Sequence, residues 1–503
     1  MIRNGWLNGL FLGVLVLGTM GGSAQVAKAA ELIVRFNEPQ NTKAQALRSA
    51  FLQGAQGGTD VKVLNEEEGL VKIDFDSNEG ALRAKELLER SPSVVSVAPN
   101  FAYQKALHLR MREVTREDHR FFALPLFGAI RAFDVQPNAL APLPEVQLPG
   151  TQKDGPDALL AQDWSYKNIR LDRVPDLRAD TNLITAVIDT GVDYNHEDLI
   201  AAMWRKPGSS GKEVGYDFAQ NNAQPFDRVF FDLEGCMKDF ACQMGLNSEK
   251  YLVNPGHGTH CAGHVGAVAN NTLGIRGAGA GTKIMALKFF YDAGHPKAGQ
   301  GDDAAAIQTI DYAIKNGVKV ISASWGGRQP RDEAEKSELK QALVRAQKAG
   351  VLFIVAAGND GVNQDTEKQP SYPAAYDLDN IITVAASDVN DKLGSFSNYG
   401  PKSVHIAAPG VKIFSTTSGG KYSDIVAKFK NPNTGKEQTM DWDGTSMATP
   451  IVAGAAALIW SKYPHEDYKQ IRDRILKSAR KVAGLTGKVA TGGVLDVAAA
   501  LGN

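Results

Sequence analysis

Cysteine is scarce: three in 503 residues, too few for a scaffold held together by disulfides. No apolar run reaches the ~18 residues that a membrane-spanning helix needs. Charge bias is missing as well. Lys plus Arg is 55 and Asp plus Glu is 56, a net charge of −1. This argues against a protein that works by global attraction to nucleic acid or to an anionic membrane, though a local patch is still open. The 50 glycines follow no period, which removes collagen-like and low-complexity readings. What is present, 43% hydrophobic and 22% charged residues, is the composition of a globular protein with a core. At about 150 residues per domain, roughly three units fit the length.

The chain divides by pattern. Residues 1–29 read as an export signal: Arg3 starts it, Leu10–Leu17 is apolar, and Ala27-Lys28-Ala29 is a small-x-small cleavage site. An uncleaved anchor is the alternative. Secretion, or release into a periplasm, is expected. Residues 30–104 hold Val- and Ile-rich runs at Leu32–Phe36, Val61–Leu64, Leu70–Phe75 and Val94–Ala98, with amphipathic stretches at Thr42–Leu52 and Gly80–Arg90. The order β-α-β-β-α-β predicts a small ferredoxin-like α+β domain. Residues 105–153, with Arg110, Arg112, Arg116 and Arg120 followed by Pro137, Pro142, Pro144 and Pro149, read as an exposed linker. The arginines are either a solvated face or a processing region.

Residues 154–503 alternate strand and helix signals. Ile184–Asp189, Ile284–Phe289, Val318–Ala323, Leu352–Ala356, Ile381–Ala385 and Val404–Ala407 are short apolar runs suited to strands buried on both faces. Asp302–Asn316, Glu333–Ala349, Ser446–Tyr463 and Tyr468–Ser478 read as helices. The prediction is an α/β fold with a doubly wound, mostly parallel sheet, helices on both faces, and a site at the strand mouths.

Three blocks carry chemistry. Asp189 follows three apolar strand residues in Ala186-Val-Ile-Asp-Thr-Gly-Val-Asp193; taken alone it is equally a structural acid. His257 lies between glycines in Pro255-Gly-His-Gly-Thr-His-Cys-Ala-Gly263 where a helix begins. His257, His260 and His264 share a helix face, but no carboxylate or HExxH pattern accompanies them, so the last two are expected to be packed residues. Ser446, in Asp443-Gly-Thr-Ser-Met-Ala-Thr-Pro450, enters a helix whose first N–H groups can hold an oxyanion. Alone, it could be a plain helix cap.

Together, in the order Asp, His, Ser, the blocks resemble the subtilisin-like serine proteases (the subtilase or S8 family) over nearly all of residues 154–503. More weakly, residues 30–104 resemble the inhibitory propeptide of that family (inhibitor I9). The resemblance implies a serine endopeptidase with Asp189, His257 and Ser446 as its triad and Asn359 as the oxyanion donor, a position otherwise readable as a turn. It implies polypeptide substrates, the chain's own propeptide as inhibitor, a monomer, and no stable membrane span or nucleic-acid partner. Ser324, Trp325, Gly326, Ala356, Gly358 and Ser371 would line the pocket for the residue before the cut. No acid stands among them, so broad specificity with an apolar or aromatic residue there is expected. Lys288-Phe-Phe290 and Gly299 to Gly301 would be edge strands for an extended peptide. Calcium is the implied ion, held by Asp157, Asp198 and Asn271 with carbonyls near Val268, Leu273 and Ile275; solvated loop acids are the alternative. Cys236 and Cys242 are placed to close a small disulfide loop, the alternative being free thiols, and Cys261 resembles the cysteine of the proteinase K branch. First self-cleavage is expected after about Tyr103, with later trimming toward Asp154. A narrow maturation protease and a peptide-binding pseudoenzyme are the rival functions.

Overall fold

The computed structural model describes residues 31–37, 58–75, 77–108, 111–113, 142–231, 236, 238, 251–292, 295–430 and 437–503. The expected export signal, the Thr42–Leu52 helix, most of the linker and Cys242 lie outside them.

The larger unit is built on a nine-stranded sheet. Across it run Arg480–Lys481, Gly493–Val494, Ile406–Pro409, Ile381–Ser387, Leu352–Ala356, Val320–Ala323, Ile184–Asp189, Lys283–Lys288 and Gly215–Asp217. Every neighbouring pair is parallel except the first. The strand Leu352–Ala356 shows why its sequence is apolar throughout. Leu352 and Ile354 face one core; Phe353 and Val355 face another on the opposite side. A parallel sheet covered on both faces has no position left for a polar alternation. Helices His257–Gly266 and Thr445–Lys462 cover the first face; Asp303–Lys315 and Glu338–Lys348 cover the second. The strand Ile184–Asp189 pairs with Lys283–Lys288 on one side and Val320–Ala323 on the other. The winding reverses there, and reversal opens a crevice at the carboxyl ends of the strands.

Two expectations are corrected. Glu333–Ala349 is not one helix but two, Arg331–Glu335 and Glu338–Lys348. Ser337 interrupts them, because its Oγ accepts from Lys340 N and caps the second. Lys288-Phe-Phe290 is not an edge strand that pairs with the peptide: Lys288 is paired inside the sheet with Asp189 and Asp217, and the Phe290 ring reaches the crevice.

The smaller unit has strands β1 (Glu31–Phe36), β2 (Gly58–Asn65), β3 (Leu70–Phe75) and β4 (Val94–Pro99) in the order β2-β3-β1-β4, all antiparallel. Helix Asn78–Glu89, capped by Ser77, buries Ala81, Ala84 and Leu88 against this sheet. The order is that of the predicted ferredoxin-like domain. This unit sits on the two helices of the second face. Arg35 Nε donates to Glu338 at 3.0 Å, Asn65 Nδ2 to Asp311 at 2.6 Å, and Ala304 N to Asn100 Oδ1 at 3.0 Å.

The reading of 105–153 as an exposed linker fails at its start, whereas residues 142–153 are exposed or half-buried. Strand β5 (Ala102–Lys105) and residues 106–108 run into the crevice, and strand β6 (Met111–Glu113) pairs with Glu437–Asp441. Farther on, Pro144 and Glu145 carbonyls accept from Tyr194 and Asn195.

Because Ile354 is fully buried at the centre of the sheet, Ile354→Ala in a Ser446→Ala background is expected to cost about 2–5 kcal/mol. A urea midpoint unchanged by the substitution would contradict this packing.

Candidate active site

Asp189 ends its strand and is 1% exposed. Its Oδ1 accepts from Thr190 N at 2.7 Å and faces His257 Nδ1 at 2.7 Å. His257, fully buried, opens its helix. A neighbouring group that the sequence reading missed joins these two elements. Asp227, also fully buried, accepts from Thr190 Oγ1 and Asn254 Nδ2, both at 2.8 Å, and from Thr259 N and Oγ1 at 2.8 and 2.7 Å. It ties the loop after Asp189 to the first turn of the His257 helix. No local pattern around Asp227 marks this role, since its partners come from three separate segments.

Ser446 is the second residue of the helix Thr445–Lys462, buried from Thr445 through Trp460. Pro450 lies inside that helix and has no N–H to give the carbonyl four residues earlier. That carbonyl belongs to Ser446. Ser324 Oγ donates to it at 2.9 Å and the Cys261 thiol at 3.4 Å. Cys261 is thus a buried free thiol holding the serine's backbone, and burial pushes its pKa well up. The Ser446 hydroxyl donates to Met447 Sδ at 3.4 Å, while His257 Nε2 is buried without a hydrogen bond. Acyl transfer needs that hydroxyl turned to Nε2.

Asn359 Oδ1 accepts from Thr445 N and Thr445 Oγ1, each at 3.0 Å. This fixes the amide and leaves its Nδ2 buried without a partner. A fixed, unspent donor beside the Ser446 N–H is what an oxyanion site requires. The Ser446 N–H already donates to Ala106 O at 3.0 Å.

The chain's own residues 102–108 lie across the site. Strand β5 pairs antiparallel with Gly301–Asp302 on one side and Trp325–Arg328 on the other. Ala106 N donates to Ser324 O at 3.0 Å, and His108 N to Asp443 O at 2.7 Å. A Cβ on Gly444 would stand 2.5 Å from Ala106 O and 3.1 Å from Leu107 Cα, so only glycine admits the peptide there. The carbonyl that meets the Ser446 N–H is that of Ala106, three residues beyond Tyr103, after which self-cleavage was expected.

Among the expected pocket residues, Gly326 and Gly358 both abut Ser371: a Cβ on either would meet its Oγ, at 2.7 and 3.3 Å. Ala356 is the last residue of its strand, and the fully buried Trp325 packs its ring under β5. Gly301 pairs with Tyr103, and Gly299 O accepts from Lys105 Nζ at 3.4 Å.

The expected ion ligands also gather. Asn271 N donates to Asp157 Oδ1 at 3.1 Å, Asn271 Nδ2 to Asp198 Oδ1 at 2.7 Å, and Ile275 N to Asp198 Oδ2 at 3.0 Å. Val268 N donates to Asp198 O, and Leu273 O accepts from Ala158 N. Asp157 Oδ2 is buried without a partner. Burial raises the Asp157 pKa and carries that of Asp198 to about 7. His260, stacked on Trp442 at 4.1 Å and bonded to Ile413 O, and His264, whose pKa burial drops to about 3, are neutral core residues. Cys236 is disulfide-bonded.

A Ser–His–Asp array with an asparagine-sided oxyanion pocket, at the reversal point of a parallel sheet, defines a serine hydrolase that acts on acyl groups. Residues 180–494 match the subtilase family, Peptidase_S8. The chain is 33% identical to thermitase of Thermoactinomyces vulgaris over 325 residues, 64% of this chain and 90% of thermitase. It is 38% identical to a thermostable alkaline protease of Halalkalibacterium halodurans over 235 residues, covering 46% of this chain and 55% of that protein. Subtilisin DY of Bacillus licheniformis is 36% identical over 224 residues, 44% of this chain and 70% of that protein. The chain therefore belongs to the subtilase family and is a serine-type endopeptidase. Among the described residues no helix is long and apolar enough to cross a membrane.

If Asn359 Nδ2 serves the oxyanion, Asn359→Ala is expected to lower kcat by about 10²–10³-fold with KM nearly unchanged; that magnitude is established for a subtilisin asparagine, not for this chain. A loss confined to KM would assign Asn359 to substrate binding instead.

Proposed function

We propose that the protein is made as an exported zymogen that first cuts its own Ala106–Leu107 bond, then hydrolyses other polypeptides. The observation that carries this reading is the Ala106 carbonyl on the Ser446 N–H, with backbone hydrogen bonds on both sides of the bond at Ala106 N and His108 N. A peptide held in this way is oriented for attack before any collision occurs.

The chemistry follows from the partners. His257 Nε2 takes the Ser446 proton as Oγ adds to the Ala106 carbonyl carbon. Asp189 keeps the proton on Nδ1 and stabilises the imidazolium. The carbonyl oxygen gains its charge facing Ser446 N and Asn359 Nδ2. His257 then returns the proton to the Leu107 nitrogen, the C–N bond breaks, and Ala106 remains as an acyl ester on Ser446. Water, activated by the same histidine, releases it. The expected pocket residues Ser324, Trp325, Gly326, Ala356, Gly358 and Ser371 include no acid, which favours an apolar residue before the cut, and Ala106 is one. The smaller unit and strand β5, through Ala106, cap the crevice until they dissociate, which is the inhibitor role the resemblance implied.

Calcium is the ion we assign to Asp157, Asp198 and the Asn271 loop. Two buried carboxylates with an orphaned oxygen fit a hard cation. Asn271 Nδ2 donates to Asp198 and its Oδ1 accepts from Leu273 N at 2.9 Å, so as placed this side chain fixes the loop around the two carboxylates. When bound, the ion neutralises charge that burial disfavours; it takes no part in hydrolysis.

Two outcomes are expected. Wild-type protein begins at Leu107 or at a later trimmed residue by N-terminal sequencing, while Ser446→Ala keeps residues before Leu107; identical shortening of both would end the self-processing proposal. For the ion, the raised Asp198 pKa means that metal-free stability is full at low pH and is lost as pH rises through about 7. Calcium should therefore raise the melting temperature more at pH about 8 than at pH about 5. A calcium effect that is absent, or equal at both, would remove Asp198 from the ligand set.

A further inference from the structure

Strand β5 also shows what the crevice recognises. Successive side chains alternate along it. Gln104 is exposed, whereas Tyr103 is fully buried and Lys105 is partly buried. The two inward residues both end in polar groups, and both groups meet built partners.

Lys105 stands two residues before the Ala106–Leu107 bond. Its Nζ donates to Val253 O at 2.7 Å and to Gly299 O at 3.4 Å, and it lies 5.1 Å from the centre of the Phe290 ring. Two carbonyls and an aromatic face make a socket for a cation. Asp189 and Asp227 add negative potential there, against the burial that brings the ammonium pKa down to about 8. Each socket acceptor is a main-chain oxygen, so the socket cannot turn to offer a donor to an acidic guest. Beside it lies a small surface cleft, lined by residues that include Asn254, Tyr291 and Asp292.

Tyr103 stands four residues before the bond. Its ring packs on Trp325, centroids 5.0 Å apart. Its hydroxyl donates to Asp303 Oδ1 and accepts from Gln329 Nε2 at 2.9 Å. Asp303 and Gln329 are themselves buried. A phenylalanine in this place would leave both without the hydroxyl, and unpaired buried polar groups are costly.

We infer that the mature crevice is selective at these two positions, taking polypeptides with a basic residue second, and a tyrosine fourth, before the cut, in place of the broad specificity that the P1 pocket alone suggests. The inference rests on the reading of Ala106–Leu107 as the bond at Ser446.

The test uses processed wild-type enzyme and fluorogenic peptides of sequence Tyr-Gln-Lys-Ala-reporter. Companion peptides carry norleucine or glutamate for lysine, or phenylalanine for tyrosine. Norleucine keeps the length of the stem and removes only the ammonium. Each change is expected to lower kcat/KM by about tenfold or more, glutamate most. Gln329→Leu is expected to narrow the tyrosine-over-phenylalanine ratio, an effect that general damage to the enzyme would not produce. Lysine and norleucine peptides cut within about twofold of each other would overturn the basic-residue selection. A phenylalanine peptide cut as fast as the tyrosine one would overturn the other. If wild type cuts none of the peptides, as the Ser446→Ala control should not, the hydrolytic reading falls and the inference with it.

Discussion

The site depends on one buried helix. Thr445–Lys462 enters at the carboxyl edge of the sheet and is covered for nearly its whole length. Its first turn therefore cannot shift without disturbing the core. Three contacts pin that turn: Asn359 Oδ1 on Thr445 N, and Ser324 Oγ and the Cys261 thiol on the Ser446 carbonyl that Pro450 leaves free. A proline that would break a helix elsewhere here frees an acceptor, and two neighbouring segments use it to register themselves against the nucleophile. Since Ser324 also accepts the Ala106 N–H, the same residue aligns serine and peptide.

The opposite wall is held by buried charge. Asp227 receives four hydrogen bonds from the Asp189 loop, the His257 helix and Asn254. A buried carboxylate survives only with such partners, and satisfying it joins two catalytic segments that the backbone alone would leave independent. Removing one partner would leave a buried carboxylate less satisfied, so this network holds the geometry firmly. The ion-ligand region follows different logic. There Asp157 and Asp198 are desolvated near each other, and the carboxylates lack matching cations at contact distance among the described residues.

The smaller unit gives the crevice its occupant. It rests on the two helices of the far face through Arg35, Asn65 and Asn100, and the chain leaving β4 is thereby delivered to the gap between Gly301–Asp302 and Trp325–Arg328. Tyr103, Lys105 and Ala106 follow as consequences of that delivery. On the far side of Ser446, His108 stacks on Phe396 at 4.5 Å, and β6 continues the contact along Glu437–Asp441.

Much of this was legible in the sequence by itself. Ile184–Asp189 and Leu352–Ala356 were readable to the residue, because strands buried on both faces must be short and apolar throughout. Asp189, His257, Ser446 and Asn359 stood in motifs whose residues are adjacent in the chain, so the motifs carried their own context. The tertiary structure decided what depends on distant segments. Glu333–Ala349 looked continuous until Ser337 found Lys340 N as a capping partner. Asp227 had no local mark, as all its partners come from elsewhere. Residues 105–108 read as linker because proline and arginine follow them, yet hydrogen bonds to Val253, Ser324, Asp443 and Ser446 hold them in the crevice. Composition describes how a segment would behave in water; only the packed crevice fixes that Ala106, and not Tyr103, meets the Ser446 N–H, since that register depends on two edge strands and on partners for Tyr103 and Lys105 that come from distant segments.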